Sequence, residues 1–223
     1  YHSSPAAIVP HYMTARDSTV SLRPRRRLPS HERRAEIVAA VVDLARERGP
    51  EAITTQAIAD RVALTHGALF RHFADKEAIW AAVFDWVRSD LGAAVDAAFA
   101  SGGSPVEILE RVFLAHARFV ARHPGAPRIL YHALQGDEHT PMHEHVHGMV
   151  AAYTRRVAAC LRQARDAGAL SPALDPQIGA TLFVATLQGL ALQRSLLGGE
   201  SGVVDAARAT FSLLLNGLRG VRR

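Results

Sequence analysis

Apolar residues recur along this chain every three to four positions, in blocks separated by short runs of Gly, Pro and polar residues. That period predicts amphipathic helices. Over residues 31–48, Ile37, Val38, Val41, Val42, Leu44 and Ala45 form one apolar face, Ser30 is placed to cap the helix and Gly49-Pro50 ends it. Residues 54–73 hold two short segments. Thr54 is the N-cap of the first, in which Ile58, Ala59 and Val62 share a face. Val62-Ala63-Leu64 connects them. Thr65 is a second N-cap, and the spacing predicts a helix over 66–73 with Leu69 and Phe73 turned inward. Asp75 caps a long helix over 75–100, supported by Ile79, Val83, Trp86, Val87, Leu91 and Val95.

Beyond the break at Ser101-Gly102-Gly103, Ser104-Pro105-Val106-Glu107 combines an N-cap, a Pro at the first helical position and a capping box. A helix follows to residue 122, and Pro124-Gly125 is expected to stop it. A short helix is expected over 126–135. Thr140-Pro141 opens a helix to about 167, and Asp175-Pro176 opens one to about 197. Ser201 is expected to open the last helix, over 201–218.

The last two helices differ from the rest. Leu182, Phe183, Val184, Leu187, Leu190, Leu192, Leu196 and Leu197 go most of the way round one. Val203, Val204, Phe211, Leu213, Leu214, Leu215 and Leu218 do so on the other. A helix that is apolar on all sides needs cover on all sides. The same pair from a second copy of the chain is the simplest cover, giving a four-helix interface with two-fold symmetry.

The stretch 54–73 has the layout of a helix-turn-helix, whose second helix enters the major groove. It resembles the DNA-binding domain of the TetR/AcrR family of transcriptional regulators, matching its pattern at Thr54, Ile58, Ala59, Thr65, Gly67, Leu69, Phe73, Lys76 and Glu77. Three positions depart from that pattern. Ala63 stands where Gly is usual, which predicts a turn that an L-residue adopts. Phe70 stands where Tyr is common, removing a hydroxyl, and His72 replaces a second aromatic residue. The resemblance implies an all-α fold. It would comprise an N-terminal three-helix helix-turn-helix domain and a C-terminal six-helix ligand-binding and dimerisation domain. The expected division is a disordered basic tail over 1–30, the DNA-binding domain over 31–91 and the second domain over 92–223.

Charge sharpens this picture. The chain carries +5 overall, and residues 1–76 hold twelve Lys/Arg against eight Asp/Glu, most of that excess. An excess of positive charge beside the helix-turn-helix is what a DNA contact requires. Arg23, Arg25, Arg26 and Arg27 form a basic run suited to following phosphates. The single cysteine, Cys160, allows no intrachain disulfide and fits a reducing cytoplasm. No Gly-rich phosphate loop and no Gly-x-Ser-x-Gly is present, so neither an enzyme nor a cofactor is expected.

Candidate contacts follow. For DNA they are Thr65, His66, Gly67, Ala68, Phe70, Arg71 and His72, with Thr54, Thr55 and Lys76 on the backbone. The partner would be a near-palindromic operator bound by a homodimer through the two C-terminal helices. For a small hydrophobic or amphipathic effector they are Phe84, Trp86, Phe113, His116, Phe119, Tyr131, Met149, Tyr153 and Phe183. The expected function is a cytoplasmic repressor released from its operator by that effector. The alternative is a metal-responsive regulator or a metal-dependent enzyme built on residues 132–147. There His132, His139, His143, His145 and His147 lie beside Asp137, Glu138 and Glu144, and i,i+4 spacing pairs two imidazoles on one face.

Overall fold

The computed structural model describes residues 29–135, 140–197 and 202–220. The Arg23–Arg27 run, Asp137 to His139 and Ser201 lie outside them. Among the described residues the regular structure is helical: α1 (Ser30–Glu47), α2 (Thr55–Arg61), α3 (His66–Leu69), α4 (Lys76–Phe99), α5 (Pro105–Arg122), α6 (Gly125–Leu134), α7 (Pro141–Asp166), α8 (Pro176–Leu197) and α9 (Val203–Arg219). A single 3-10 turn, Pro50–Ala52, joins α1 to α2.

Most caps lie where the side chains require. Thr54, Thr65, Asp75 and Thr140 each accept from the backbone N–H three residues on. Ser104 and Glu107 close a capping box. Asp175 Oδ1 accepts from Gln177 and Ile178. Two expectations are corrected. Ser30 is the first residue of α1 rather than its cap, because Pro29, at φ −53° and ψ 151°, already turns the chain into the helix and accepts from Arg33 N at 3.0 Å. α5 ends at Arg122, ahead of Pro124-Gly125 as expected, but Gly125 is itself the first residue of α6, one position before the expected start.

The reason lies in packing. A Cβ on Gly125 would stand 2.0 Å from the carbonyl oxygen of Val42, so α6 rests directly on the backbone of α1. Arg128 Nη1 adds a 3.0 Å bond to the Arg46 carbonyl.

The N-terminal core gathers Ile37, Val41, Leu44, Ile53, Ile58, Leu69, Phe73, Ile79 and Val83, and it also takes Ile129 of α6 and Val146 of α7. A second core joins Leu109, Phe113, Leu161, Phe183, Phe211 and Leu214 around α5, α7, α8 and α9. The helix α4 belongs to both, through Ile79 and Val83 at one end and Val95 at the other. Its 24 residues at ~1.5 Å each reach across the molecule.

Candidate nucleic-acid interface and ligand cavity

The two short helices are set by their caps and by the turn between them. Leu64 N bonds Ala59 O at 2.9 Å and Ala63 N bonds Asp60 O at 3.1 Å. This pair of bonds is a Schellman motif, with Ala63 at the position that Gly usually fills. Ala63 takes φ +49°. The expectation of a turn suited to an L-residue is therefore corrected: the left-handed turn is kept, and Ala63 bears its strain.

From Thr65 the chain turns once as α3 and then tightens. Arg71 N bonds Ala68 O and His72 N bonds Leu69 O, so the α-helix ends at Leu69 rather than reaching Phe73. Arg34 of α1 donates to the His72 carbonyl, the acceptor that a continuing helix would have used, and its guanidinium lies 4.1 Å over the Phe73 ring. Leu69 and Phe73 are buried as their spacing requires.

Thr65, His66, Gly67 and Arg71 are exposed, and Ala68, Phe70 and Lys76 are half-buried. His66 is held on two sides. Its Nε2 lies 3.0 Å from Thr55 Oγ1, and Phe70 meets its ring edge-on at 4.9 Å. A Cβ on Gly67 would meet nothing within 4 Å, so the space in front of α3 is open. Lys76 begins α4 directly after the Asp75 cap. His72 is half-buried like Ala68 and Phe70, and its Nδ1 is shielded with no hydrogen-bond partner among the described residues. Thr54 is exposed, with its hydroxyl turned to its own helix.

A cavity of about 380 Å³ lies among α4, α5, α6, α7 and α8. Its wall is mostly apolar and includes Leu91, Phe119, Val120, Leu130, Leu134, Met149, Val150 and Val184. The polar and charged residues of the wall are Arg88, Asp96, His116, Tyr131, Tyr153, Arg156 and Gln188. Tyr131 donates to the Gln188 carbonyl at 2.8 Å. His116 and Tyr153 stand with ring centroids 5.7 Å apart. Their Nδ1 and hydroxyl are both shielded and lack partners among the described residues. Burial pushes the His116 imidazole down to about 4 and the Tyr153 hydroxyl well above its ordinary range.

The cavity thus brings together His116, Phe119, Tyr131, Met149 and Tyr153. The other aromatic candidates sit elsewhere. Phe84 is buried in the N-terminal core. Trp86 packs on Phe119 and His123. Phe113 and Phe183 meet edge to face at 5.1 Å inside the C-terminal core. The pattern of the chain did not single out Arg34, Leu130 or Gln188. Only Gln188 carried a signal, as the one amide within the leucine-rich stretch from Leu182 to Leu192.

In the histidine stretch, His132, His145 and His147 are exposed and His143 stacks on His147 at 6.4 Å. Among the described residues no three His, Cys, Asp or Glu side chains converge as a metal ion requires, so the metal alternative finds no support.

The outer face of α8 and α9 is apolar in the single chain. Ile178 is 69% exposed, Leu182 50%, Leu192 42% and Leu213 73%. No helix of the described residues is long and apolar enough to cross a membrane.

Comparison with known proteins follows the same division. Residues 37–83 match the family described as bacterial regulatory proteins, tetR family. Residues 132–211 match the tetracyclin repressor-like C-terminal domain. The chain is 36% identical over 112 residues to an HTH-type transcriptional repressor of Mycobacterium tuberculosis, covering 49% of this chain and 55% of that protein. It is 27% identical over 105 residues to the nucleoid occlusion factor SlmA of Haemophilus ducreyi, covering 46% and 52%. The chain thus spans about half the length of these relatives. Its fold is similar to that of a ketosteroid transcriptional regulator of Mycobacterium tuberculosis, with TM-score 0.75 and 22% identity over 85% of this chain and 96% of that one. It is also similar in fold to the fatty acid degradation regulator FadR from Bacillus halodurans, with TM-score 0.69 and 16% identity over 84% and 96%.

Proposed function

The chain belongs to the tetR family of bacterial regulatory proteins, and on that footing we propose that it is a sequence-specific, DNA-binding transcriptional regulator that represses as a homodimer. The observation that carries this reading is the open space before Gly67, flanked by exposed Thr65, His66 and Arg71. A fold in which α3 merely packed would have no reason to leave that surface clear. In the complex, α3 lies in the major groove. His66 and Arg71 face base edges, with Thr65, Gly67, Ala68 and Phe70 close by. Thr54, Thr55 and Lys76 hold the phosphates. His72 contributes through its seat under Arg34 rather than by direct contact. The cytoplasm, where the operator lies, is its compartment.

The exposed leucines and isoleucine of α8 and α9 support dimerisation through that face. Two copies present two α3 helices to one duplex, about 34–36 Å apart or somewhat more, and so recognise a near-palindrome. The cavity supports an apolar or amphipathic effector as the releasing signal. Its walls include α4 and α6, the two helices that also pack against α1. A ligand moves the reading heads only if it binds the DNA-incompetent state more tightly.

The test is genomic footprinting with purified protein, followed by gel shifts on the recovered site and sedimentation with and without Leu182→Asp and Leu213→Asp. A protected near-palindrome, bound by a dimer that the aspartates dissociate, is expected. A chain that stays monomeric at micromolar concentration, or ignores duplex DNA at low salt, overturns the reading.

A further inference from the structure

The segment that would read DNA has little of its own to hold it. α3 is four residues long, and of these only Leu69 is buried. Isolated helices below ~12–15 residues are marginal in water, so the course of α3 depends on anchors from other elements. Its start has one in Thr55, which meets His66. Past Leu69 the chain runs through Phe70, Arg71 and His72 to the buried Phe73, and there Arg34 of α1 takes hold.

Arg34 grips this stretch twice. Its Nη1 donates to the His72 carbonyl, and its guanidinium lies 4.1 Å over the Phe73 ring. Arginine offers both at once, donors along an edge and a face that stacks. The base from which it reaches is firm, because Ile37, Val38 and Val41 of α1 are buried in the N-terminal core.

The grip bears on where Arg71 points. Arg71 N bonds Ala68 O at 3.3 Å and His72 N bonds Leu69 O at 3.0 Å, both three residues back rather than four. Each residue of such a turn advances about 120° instead of about 100°, so over Arg71 and His72 the chain turns roughly 40° further than a continued α-helix. Arg71 is exposed and projects from this tightened turn. Without Arg34, residues 70–73 can continue α3 as their apolar spacing favours, which swings Arg71 to another bearing.

We propose that Arg34 is a positioning residue for sequence recognition: by holding the His72 carbonyl and the Phe73 ring it sets the bearing of Arg71 on the base edges. This rests on reading α3 as the recognition helix, and the experiment keeps the two apart.

Preferred duplexes are selected from a random pool with the full chain and with its Arg71→Ala variant. Competition gel shifts then compare the wild-type site with random duplex. Arg34→Leu should weaken the site by about tenfold or more, within what a lost base contact costs, and random duplex by about threefold or less, with the salt dependence unchanged. Its own selection should lose preference at the positions where Arg71→Ala loses it. Added to Arg71→Ala, Arg34→Leu should cost the site a further factor of about three or less, since a residue that acts through Arg71 then has nothing to position. Arg34→Lys keeps the charge but not the planar fork, and should weaken the site by about threefold or more. A merely structural role would weaken both duplexes together and lower the thermal unfolding temperature. That outcome, losses that multiply with those of Arg71→Ala, an unaltered preference in Arg71→Ala, or full preference in Arg34→Lys overturns the positioning role and leaves the recognition helix standing. If Arg34→Leu does not fold, the Arg34→Lys comparison decides. A wild-type chain that selects no sequence from the pool overturns the recognition reading and the role of Arg34 with it.

Discussion

The hydroxyl of Thr55 stands 3.0 Å from Nε2 of His66, joining the first residue of α2 to the first residue of α3. Phe70 closes the other side of the imidazole. The ring is thereby oriented before any DNA arrives. Thr55→Val keeps the shape and removes the hydroxyl. One lost hydrogen bond, net ~0.5–1.5 kcal/mol, should weaken the preferred operator by roughly two- to tenfold, and random duplex, which loses only the phosphate contact, by less. Competition gel shifts on both DNAs check this; equal losses on both would place Thr55 on the phosphates alone.

A Cβ on Gly67 would point into open space, so its small size serves what lies outside the protein. Gly67→Ala should raise folding stability by about 0.5–1 kcal/mol, the helical cost of glycine. Gly67→Leu should leave thermal unfolding intact and abolish operator binding. A Gly67→Leu protein that still binds its operator would mean α3 does not approach the groove by this face.

Ala63 holds a left-handed conformation that costs an L-residue ~1–2 kcal/mol. Ala63→Gly relieves that strain and adds backbone freedom to the unfolded chain, costing up to about 1 kcal/mol. A net gain of roughly 0.5–1 kcal/mol in urea unfolding is expected, with DNA affinity unchanged. Ala63→Val should lose stability by a larger amount.

Lys76 begins α4 beside α3 and is the one lysine of the chain. Its proposed role is a phosphate contact. Lys76→Ala should weaken all duplexes alike and reduce the salt dependence of binding by about one unit of slope. Arg71→Ala should instead alter the ranking of sequences in a selection from a random pool. Identical behaviour of the two variants would overturn this division of roles.

The buried His116 ties stability to acidity. Its folded value of about 4 lies below the ordinary 6.5. Between those two the unfolded chain takes up a proton that the folded chain refuses. Stability should therefore fall as pH drops from about 6.5 towards 4, by at most roughly 3 kcal/mol at ~1.36 kcal/mol per pH unit. His116→Phe removes that component, so its urea midpoint should depend less on pH across this window.

The features legible in the chain were those decided within a few residues. The caps at Thr54, Thr65, Asp75, Ser104 and Thr140 each involve a side chain and a backbone N–H three residues away. The inward pair Leu69 and Phe73 follows from one helical turn. What stayed hidden depends on distant partners. Arg34 meets His72 across 38 positions, and this contact shortens α3. Gly125 looked like a terminator because its neighbour is Pro124, yet its partner is Val42 on another helix. Aromatic residues alone did not distinguish core from cavity. Phe113 and His116 are one helical turn apart, one set edge to face with Phe183 and the other on the cavity wall.

That bare contact between Gly125 and Val42 has a mechanical consequence. A side chain lying between two helices can absorb a small shift by changing rotamer. At this point backbone meets backbone, and there is no cushion to compress. Any push on the cavity side of α6 must slide α1 or lift away from it, so the junction works as a rigid strut between the cavity wall and α1.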